Sequence, residues 1–138
     1  MNESTSPRTP RRRFPPTAAS VRAARAFVDS VLEAERVSAP SISTLRLVVS
    51  ELVANAIQHG EGTLDVEVAL DLSDDDWLQL AVTSGANPHG AMPDVPQWTI
   101  APPDATSGRG LGIVRELVDE VSSTAKDGVV AVRCRVHR

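Results

Sequence analysis

A carboxylate and a carboxamide lie four residues apart in the segment 51–60, which reads ELVANAIQHG. If this segment is helical, Glu51 and Asn55 stand one turn apart on the same edge, at the border of the apolar stripe. A carboxylate there can take a proton from an attacking hydroxyl or water. An amide oxygen one turn away suits Mg²⁺, which prefers oxygen ligands and keeps several waters. Taken alone, the pair fits a catalytic edge or an ordinary edge of an amphipathic helix.

A glycine-rich segment, GRGLG at residues 108–112, comes directly before a second amphipathic pattern. Glycines let backbone N–H groups approach a phosphate closely, and the N-terminus of a helix adds positive partial charge. Arg109 can add a charge-assisted contact to a terminal phosphate. The segment is neither a dinucleotide fingerprint nor a Walker A motif, because no strand precedes it and no Lys-Ser/Thr pair is present. Alone, it fits a phosphate site or the glycine-rich end of a loop.

Three apolar stripes at three- and four-residue spacing predict the helices that carry these segments. The first helix is expected over residues 17–36, and the second opens at Pro40 and ends at Gly60. The third is marked by apolar residues from Leu111 to Val121. The expected N-caps are Thr17 for the first helix and Ser41 or Ser43 for the second.

Alternating residues predict two hairpins. Residues 63–71 alternate between apolar and polar side chains and are followed by a returning strand at 77–83. The Asp127-Gly128 pair lies between two valine-rich runs, which is a strong hairpin signal. Helices and antiparallel hairpins in this order predict an α+β fold, a two-layer α/β sandwich whose helices cover one face of a sheet.

Composition restricts the class of protein. A chain of 138 residues with a formal net charge of −4 and one cysteine fits one domain. Cys134, expected to be a small buried residue of the last strand, excludes an internal disulfide framework and indicates a reducing, cytoplasmic setting. No run approaches the about 18 apolar residues that span a bilayer, and no secretory signal is visible, so we expect no membrane contact.

Prolines are concentrated in two segments. Residues 1–16 hold four prolines and four arginines, which predicts a disordered basic leader, either a solvated tail or a contact for nucleic acid or an acidic partner. Residues 84–107 hold five prolines and no apolar period. A loop longer than about 12–15 residues inside a compact domain is usually functional. We therefore expect a folded domain at 17–138 that contains a functional loop at 84–107.

Segments 51–60 and 108–112 follow one another in this order and are separated by a hairpin and a long loop. Together they resemble two motifs of the GHKL (histidine-kinase-like, Bergerat fold) ATPases. Residues 51–60 resemble the N box of that family, and residues 108–112 resemble its second glycine box. Within the family, the chain is most similar to the small anti-sigma factor serine kinases. The resemblance covers about residues 17–136.

The resemblance implies a Bergerat fold that binds ATP and Mg²⁺, with residues 84–107 as the ATP lid. It implies that Asn55 holds the metal, that Glu51 is the general base and that Arg109 steadies the γ-phosphate. It further implies that the backbone of the glycine segment cradles the phosphates. We expect the nucleotide-contacting residues to be Asn55, His59, Thr83, Gly85, Gly108, Arg109, Gly110, Leu111 and Gly112.

The resemblance also implies protein partners. It implies an anti-anti-sigma (STAS-type) protein whose serine is phosphorylated, and a sigma factor that is held inactive. Homodimers are common in the family, although no interface signal is visible in this sequence. We expect no direct contact with nucleic acid, because no strongly basic face remains outside residues 1–16.

One position departs from the family pattern. The first glycine box of the family places an aspartate after the second hairpin strand, where it accepts a hydrogen bond from the amino group of adenine. Here residues 81–87 read AVTSGAN, and the best match for that aspartate is Thr83, followed by Gly85. Loss of a charge-assisted bond costs about 1.5–3 kcal/mol, or about ten- to a hundred-fold in affinity. A catalytically weakened binding module of the same fold is therefore the alternative to an active kinase.

Overall fold

The computed structural model describes residues 9–60, 62–86 and 109–138. Within these residues, five strands form one antiparallel sheet in the order β1-β2-β3-β5-β4, and three helices cover one of its faces. This arrangement confirms the predicted α+β two-layer sandwich. In chain order the elements are β1 (Arg11–Phe14), α1 (Ala19–Ala34), α2 (Ala39–His59), β2 (Val66–Asp71), β3 (Trp77–Gly85), α3 (Arg109–Leu117), β4 (Glu120–Lys126) and β5 (Val129–His137).

The core lies between the helices and the sheet and is almost entirely aliphatic. Leu45, Val49 and Leu52 on α2 belong to the same buried cluster as alternate residues of the central strands, such as Leu80 and Cys134. Cys134 is fully buried, as expected, and burial raises the pKa of its thiol to about 12. The helices cannot slide easily over such a surface, because packed interiors interdigitate at close to crystal density. The core therefore holds α2 at a fixed height above the sheet.

The edge strand β1 corrects the expectation that residues 1–16 form a disordered leader. Arg11–Phe14 pairs with β2, and the expected leader residues 1–8 lie outside the described residues. Phe14 is buried edge-on against Phe27, with 6.3 Å between ring centroids. The Arg12 guanidinium lies 5.2 Å from the centroid of the same Phe27 ring, and Arg13 pairs with Glu67 at 3.5 Å. These contacts order a segment whose composition alone is typical of a solvated tail.

The predicted caps are wrong, although the helices themselves form. Ala18 is the N-cap of α1, and Ser38 is the N-cap of α2; neither end has a side-chain capping hydrogen bond. The predicted cap Thr17 precedes both the N-cap and the first helical residue, whereas the predicted caps Ser41 and Ser43 lie inside α2. Gly60 ends α2 as predicted, and its N–H donates to the Ala56 carbonyl.

The strand boundaries also differ from the predicted ones. β2 begins at Val66, so Leu64 stays outside the sheet and is 46% exposed. β3 extends to Gly85 and includes the first two residues of the expected lid; residues 87–108 lie outside the described part of the chain. Val121 belongs to β4 rather than to the third helix. The Asp127-Gly128 turn is confirmed, with φ of 54° and 78° at its two residues.

No helix formed by residues 9–60, 62–86 and 109–138 is both long and apolar enough to cross a membrane.

Candidate functional site

One edge of α2 carries the carboxylate and the carboxamide. Glu51 and Asn55 lie one turn apart and are both half-buried, whereas Leu52 and Val53 between them are buried in the core. The apolar residues fix the rotation of the helix, and that rotation leaves the two polar side chains at the rim of the core. Partial burial restricts their rotamers without isolating them from a ligand.

The first turn of α3 lies directly against Glu51. A Cβ built on Gly110 would overlap Glu51 Oε2 and would lie 3.3 Å from Cδ of the same side chain. Gly112 is buried, and Leu111 packs against the core. The fold therefore brings the glycine segment and the N-box-like segment together. Gly108 and the side chain of Arg109 lie outside the described part.

The end of β3 lies next to the end of α2. A Cβ on Gly60 would overlap the Ala56 carbonyl oxygen and would lie 3.2 Å from the Gly85 carbonyl oxygen. Both neighbours are backbone atoms, which cannot move as a side chain can. The last turn of α2, which follows Asn55, is therefore held against the end of the strand where the adenine-binding residue is expected.

Substituting Gly60 by alanine is expected to lower the free energy of unfolding by about 1–3 kcal/mol, as overpacking against fixed atoms does. Urea unfolding followed by circular dichroism measures the change. Gly62→Ala is the matched control, because no atom lies within 4 Å of the Cβ position at Gly62. Equal unfolding midpoints for Gly60→Ala and Gly62→Ala would contradict the crowding at Gly60, which comes mainly from the Ala56 carbonyl oxygen of α2 itself.

The sheet register separates Thr83 from the helix layer. Thr83 lies opposite Glu67 and Ala131, on the face turned away from the helices, because its neighbour Val82 points into the core. Ser84 follows and lies opposite Val130, which packs against the core. Ser84 is thus the last residue of β3 before Gly85 on the helix-covered face. The motif match identifies Thr83, whereas alternation counted from Leu78, Leu80 and Val82 places Ser84 on the helix-covered face.

A depression of about 450 Å³ is found at this end of the sheet, but it lies apart from the α2 edge. Its lining includes Thr83, Ser84, Glu67 and Arg13, and neither Glu51 nor Asn55 contributes to it. Neither polar residue of α2 lines this depression, and Glu51 lies instead against the first turn of α3.

The donor set fits a weakly held, hard cation. Among the described residues, no group of three or more His, Cys, Asp or Glu side chains could hold a metal ion. His59 is exposed in the last turn of α2, beyond the turn that carries Asn55. An amide oxygen near the glycine-rich first turn of a helix fits Mg²⁺, which takes oxygen ligands and keeps several waters when it is bound with substrate phosphates.

Comparison with known proteins agrees with this geometry. A family model described as histidine kinase-like ATPase domain matches residues 14–135. A search of curated proteins found no significant match.

Solved structures share the fold at low sequence identity. The structure of the RsbU and RsbW domains of Rv1364c from Mycobacterium tuberculosis superposes with a TM-score of 0.68 and 19% identity, covering 93% of this chain and 31% of that one. The structure of the SiaB-SiaC complex from Pseudomonas aeruginosa superposes with a TM-score of 0.68 and 14% identity, covering 95% of this chain and 91% of that one. The catalytic domain of histidine kinase ThkA superposes with a TM-score of 0.53 and 18% identity, covering 70% of this chain and 66% of that one. This chain thus spans about a third of the length of the Rv1364c chain.

Proposed function

Because this chain belongs to the histidine kinase-like ATPase domain family, we propose that it binds Mg-ATP and phosphorylates a serine of an anti-anti-sigma (STAS-type) protein. The observation that carries the proposal is the contact of the first turn of α3 with Glu51, which stands one helical turn from Asn55 on α2. It combines a proton acceptor, an oxygen ligand and a phosphate-binding backbone at one place in the fold.

The chemistry assigned to this chain is proton transfer and positioning. Glu51 accepts the proton of the serine hydroxyl as the serine oxygen attacks the γ-phosphorus. The bond from that phosphorus to the β–γ bridging oxygen breaks, and ADP leaves with that oxygen. N–H groups of the first turn of α3 and the glycine segment bind the phosphates, and Arg109 contacts the γ-phosphate. Asn55 would hold Mg²⁺, which supplies neutralisation of the phosphate charge.

The regulatory part of the proposal follows the anti-sigma branch that the two motifs resemble. In that arrangement the chain sequesters a sigma factor in the cytoplasm and releases it when the partner switches. The names of two neighbours of the same fold, an RsbU and RsbW domain pair and a SiaB-SiaC complex, support a search among anti-anti-sigma partners.

The direct test is phosphoryl transfer. The purified chain is mixed with Mg-ATP and a cognate anti-anti-sigma protein, and phosphoserine is detected by mass spectrometry. We expect stoichiometric modification of one serine. Absence of phosphoserine under conditions where Mg-ATP binds would overturn the kinase assignment.

A binding module with weakened catalysis is the second candidate, and one observation favours it. Neither Thr83 nor Ser84 at the end of β3 is a carboxylate. A hydroxyl accepts a hydrogen bond from the amino group of adenine without the strength of an ionised acceptor. Calorimetric titration separates the two candidates: micromolar ATP binding that depends on Asn55 favours the kinase, and its absence favours the binding module.

Introducing a carboxylate at Ser84 is expected to tighten ATP binding by about ten- to a hundred-fold, the value of one charge-assisted hydrogen bond. Ser84→Asp places the carboxylate on the helix-covered face, whereas the matched variant Thr83→Asp places it on the opposite face. Titration with ATP measures both. A gain in Thr83→Asp but not in Ser84→Asp would show that the motif match, rather than the strand alternation, identifies the base-contacting residue.

A further inference from the structure

The contact between Gly110 and Glu51 involves three atoms of the Glu51 side chain. A Cβ on Gly110 would overlap Oε2 and would lie 3.3 Å from Cδ and 3.6 Å from Cβ of Glu51. The first turn of α3 therefore lies along the carboxylate and along its stem. Glycine is the only residue that permits this approach with the side chain in place.

Among the described residues, packing is what restrains this carboxylate. Within residues 9–60, 62–86 and 109–138, Glu51 takes part in no hydrogen bond or ion pair. A glutamate side chain has three rotatable bonds, so an unrestrained carboxylate would sample several directions. Within the described part of the chain, the backbone of Gly110 limits this freedom on the α3 side.

We propose that Gly110 is a positioning residue, which sets the direction of the Glu51 carboxylate through the packing of α3 on α2. The inference rests on the proposed function, in which Glu51 is the general base. It gives Gly110 a second role, orientation of that carboxylate, in addition to phosphate binding by its backbone N–H group. The same residue then connects the phosphate-binding segment with proton transfer, because any movement of the first turn of α3 also moves the wall against Glu51.

The substitution Gly110→Ala should displace the carboxylate rather than unfold the chain. The overlapping atom is the far end of a flexible side chain, which can rotate away, and the nearest atoms include no backbone. A misplacement of about 1 Å at a reacting group costs about a hundred-fold in rate. We therefore expect Gly110→Ala to lower kcat by about 10- to 100-fold.

A double-mutant cycle in thermal unfolding tests the contact without measuring activity. With Glu51→Ala, Oε2 and Cδ are removed and only an ordinary contact remains at Gly110. Alanine is favoured over glycine inside a helix, so Gly110→Ala should raise the unfolding midpoint of Glu51→Ala by about 3–5 °C. When Glu51 is present, the shift in midpoint caused by Gly110→Ala should be smaller than the shift in the Glu51→Ala background, by at least about 2 °C. Gly62→Ala, which meets no atom, serves as a control with equal shifts in both backgrounds.

The kinetic arm separates positioning from phosphate binding. A positioning role predicts that Gly110→Ala lowers kcat and leaves the Kd for ATP nearly unchanged. It also predicts that adding Gly110→Ala to the Glu51→Ala variant lowers kcat no further. A role limited to the phosphates predicts a weaker Kd in both backgrounds.

The outcomes also separate the inference from the proposed function. Equal shifts of the midpoint in both backgrounds, or a loss of affinity alone, overturn the positioning role while phosphorylation by the unmodified chain upholds the kinase. If the unmodified chain produces no phosphoserine, the proposed kinase activity is overturned, and the contact between Gly110 and Glu51 then has no role in catalysis.

Discussion

Glu51→Gln is expected to lower the rate of phosphoryl transfer to the partner serine by about 10²–10⁴-fold, the range of general base catalysis. Glutamine keeps the length and volume of the side chain that packs against Gly110, but its amide accepts no proton at neutral pH. The substitution therefore removes proton transfer and leaves the packing of α3 on α2 in place. Single-turnover phosphorylation of the partner, followed by mass spectrometry, measures the rate.

The control for this prediction is an exposed helical carboxylate. Glu33 lies on the surface of α1, so Glu33→Gln changes the charge of the chain equally and leaves the site intact. An undiminished rate in Glu51→Gln, or an equal loss in Glu33→Gln, would remove Glu51 from the chemistry. Titration with Mg-ATP on the same samples checks that binding is retained.

Asn55→Ala is expected to weaken Mg-ATP binding by about 30- to 100-fold, since one contact between an amide oxygen and an ion is worth about 2–3 kcal/mol. The diagnostic feature is the dependence on the metal. In the unmodified chain, removing Mg²⁺ with a chelator should weaken ATP binding strongly; in Asn55→Ala it should change little. Calorimetric titrations with and without Mg²⁺ measure this difference.

Gln58→Ala provides the matched control for Asn55→Ala. Gln58 is an amide of the same helix, but it is exposed. A similar loss of affinity in both variants would indicate a general effect on α2 rather than a ligand at Asn55. Retention of the full Mg²⁺ dependence in Asn55→Ala would place the metal elsewhere.

The sequence alone predicted the elements whose periodicity comes from burial on one side. The stripe on α2 is long and regular, and the alternation in β2 and β3 allows one register only, since a slip by one residue would expose the whole core face. The Asp127-Gly128 turn was predictable because both of its residues adopt positive φ, which this pair tolerates well.

The features that the sequence did not predict depend on contacts between distant segments. Three consecutive arginines are typical of a solvated tail, and the ring of Phe27 that packs against Arg12 is part of another element. The position of Thr83 on the face away from the helices was also not predicted, because a motif match counts positions and does not ask which side of a strand each position occupies. The approach of Gly110 to Glu51 joins residues on two helices separated by a hairpin and a loop.

The edge strand β1 also determines where the sheet stops. An unprotected edge offers free N–H and C=O groups to any other extended chain, and charged side chains on the edge strand oppose such pairing. If two copies paired antiparallel through β1, guanidinium groups of Arg11, Arg12 and Arg13 would be brought close together across the new ladder. Like charges opposite one another destabilise a strand pair. The segment that resembles a leader in composition therefore also opposes growth of the sheet into a second copy of the protein.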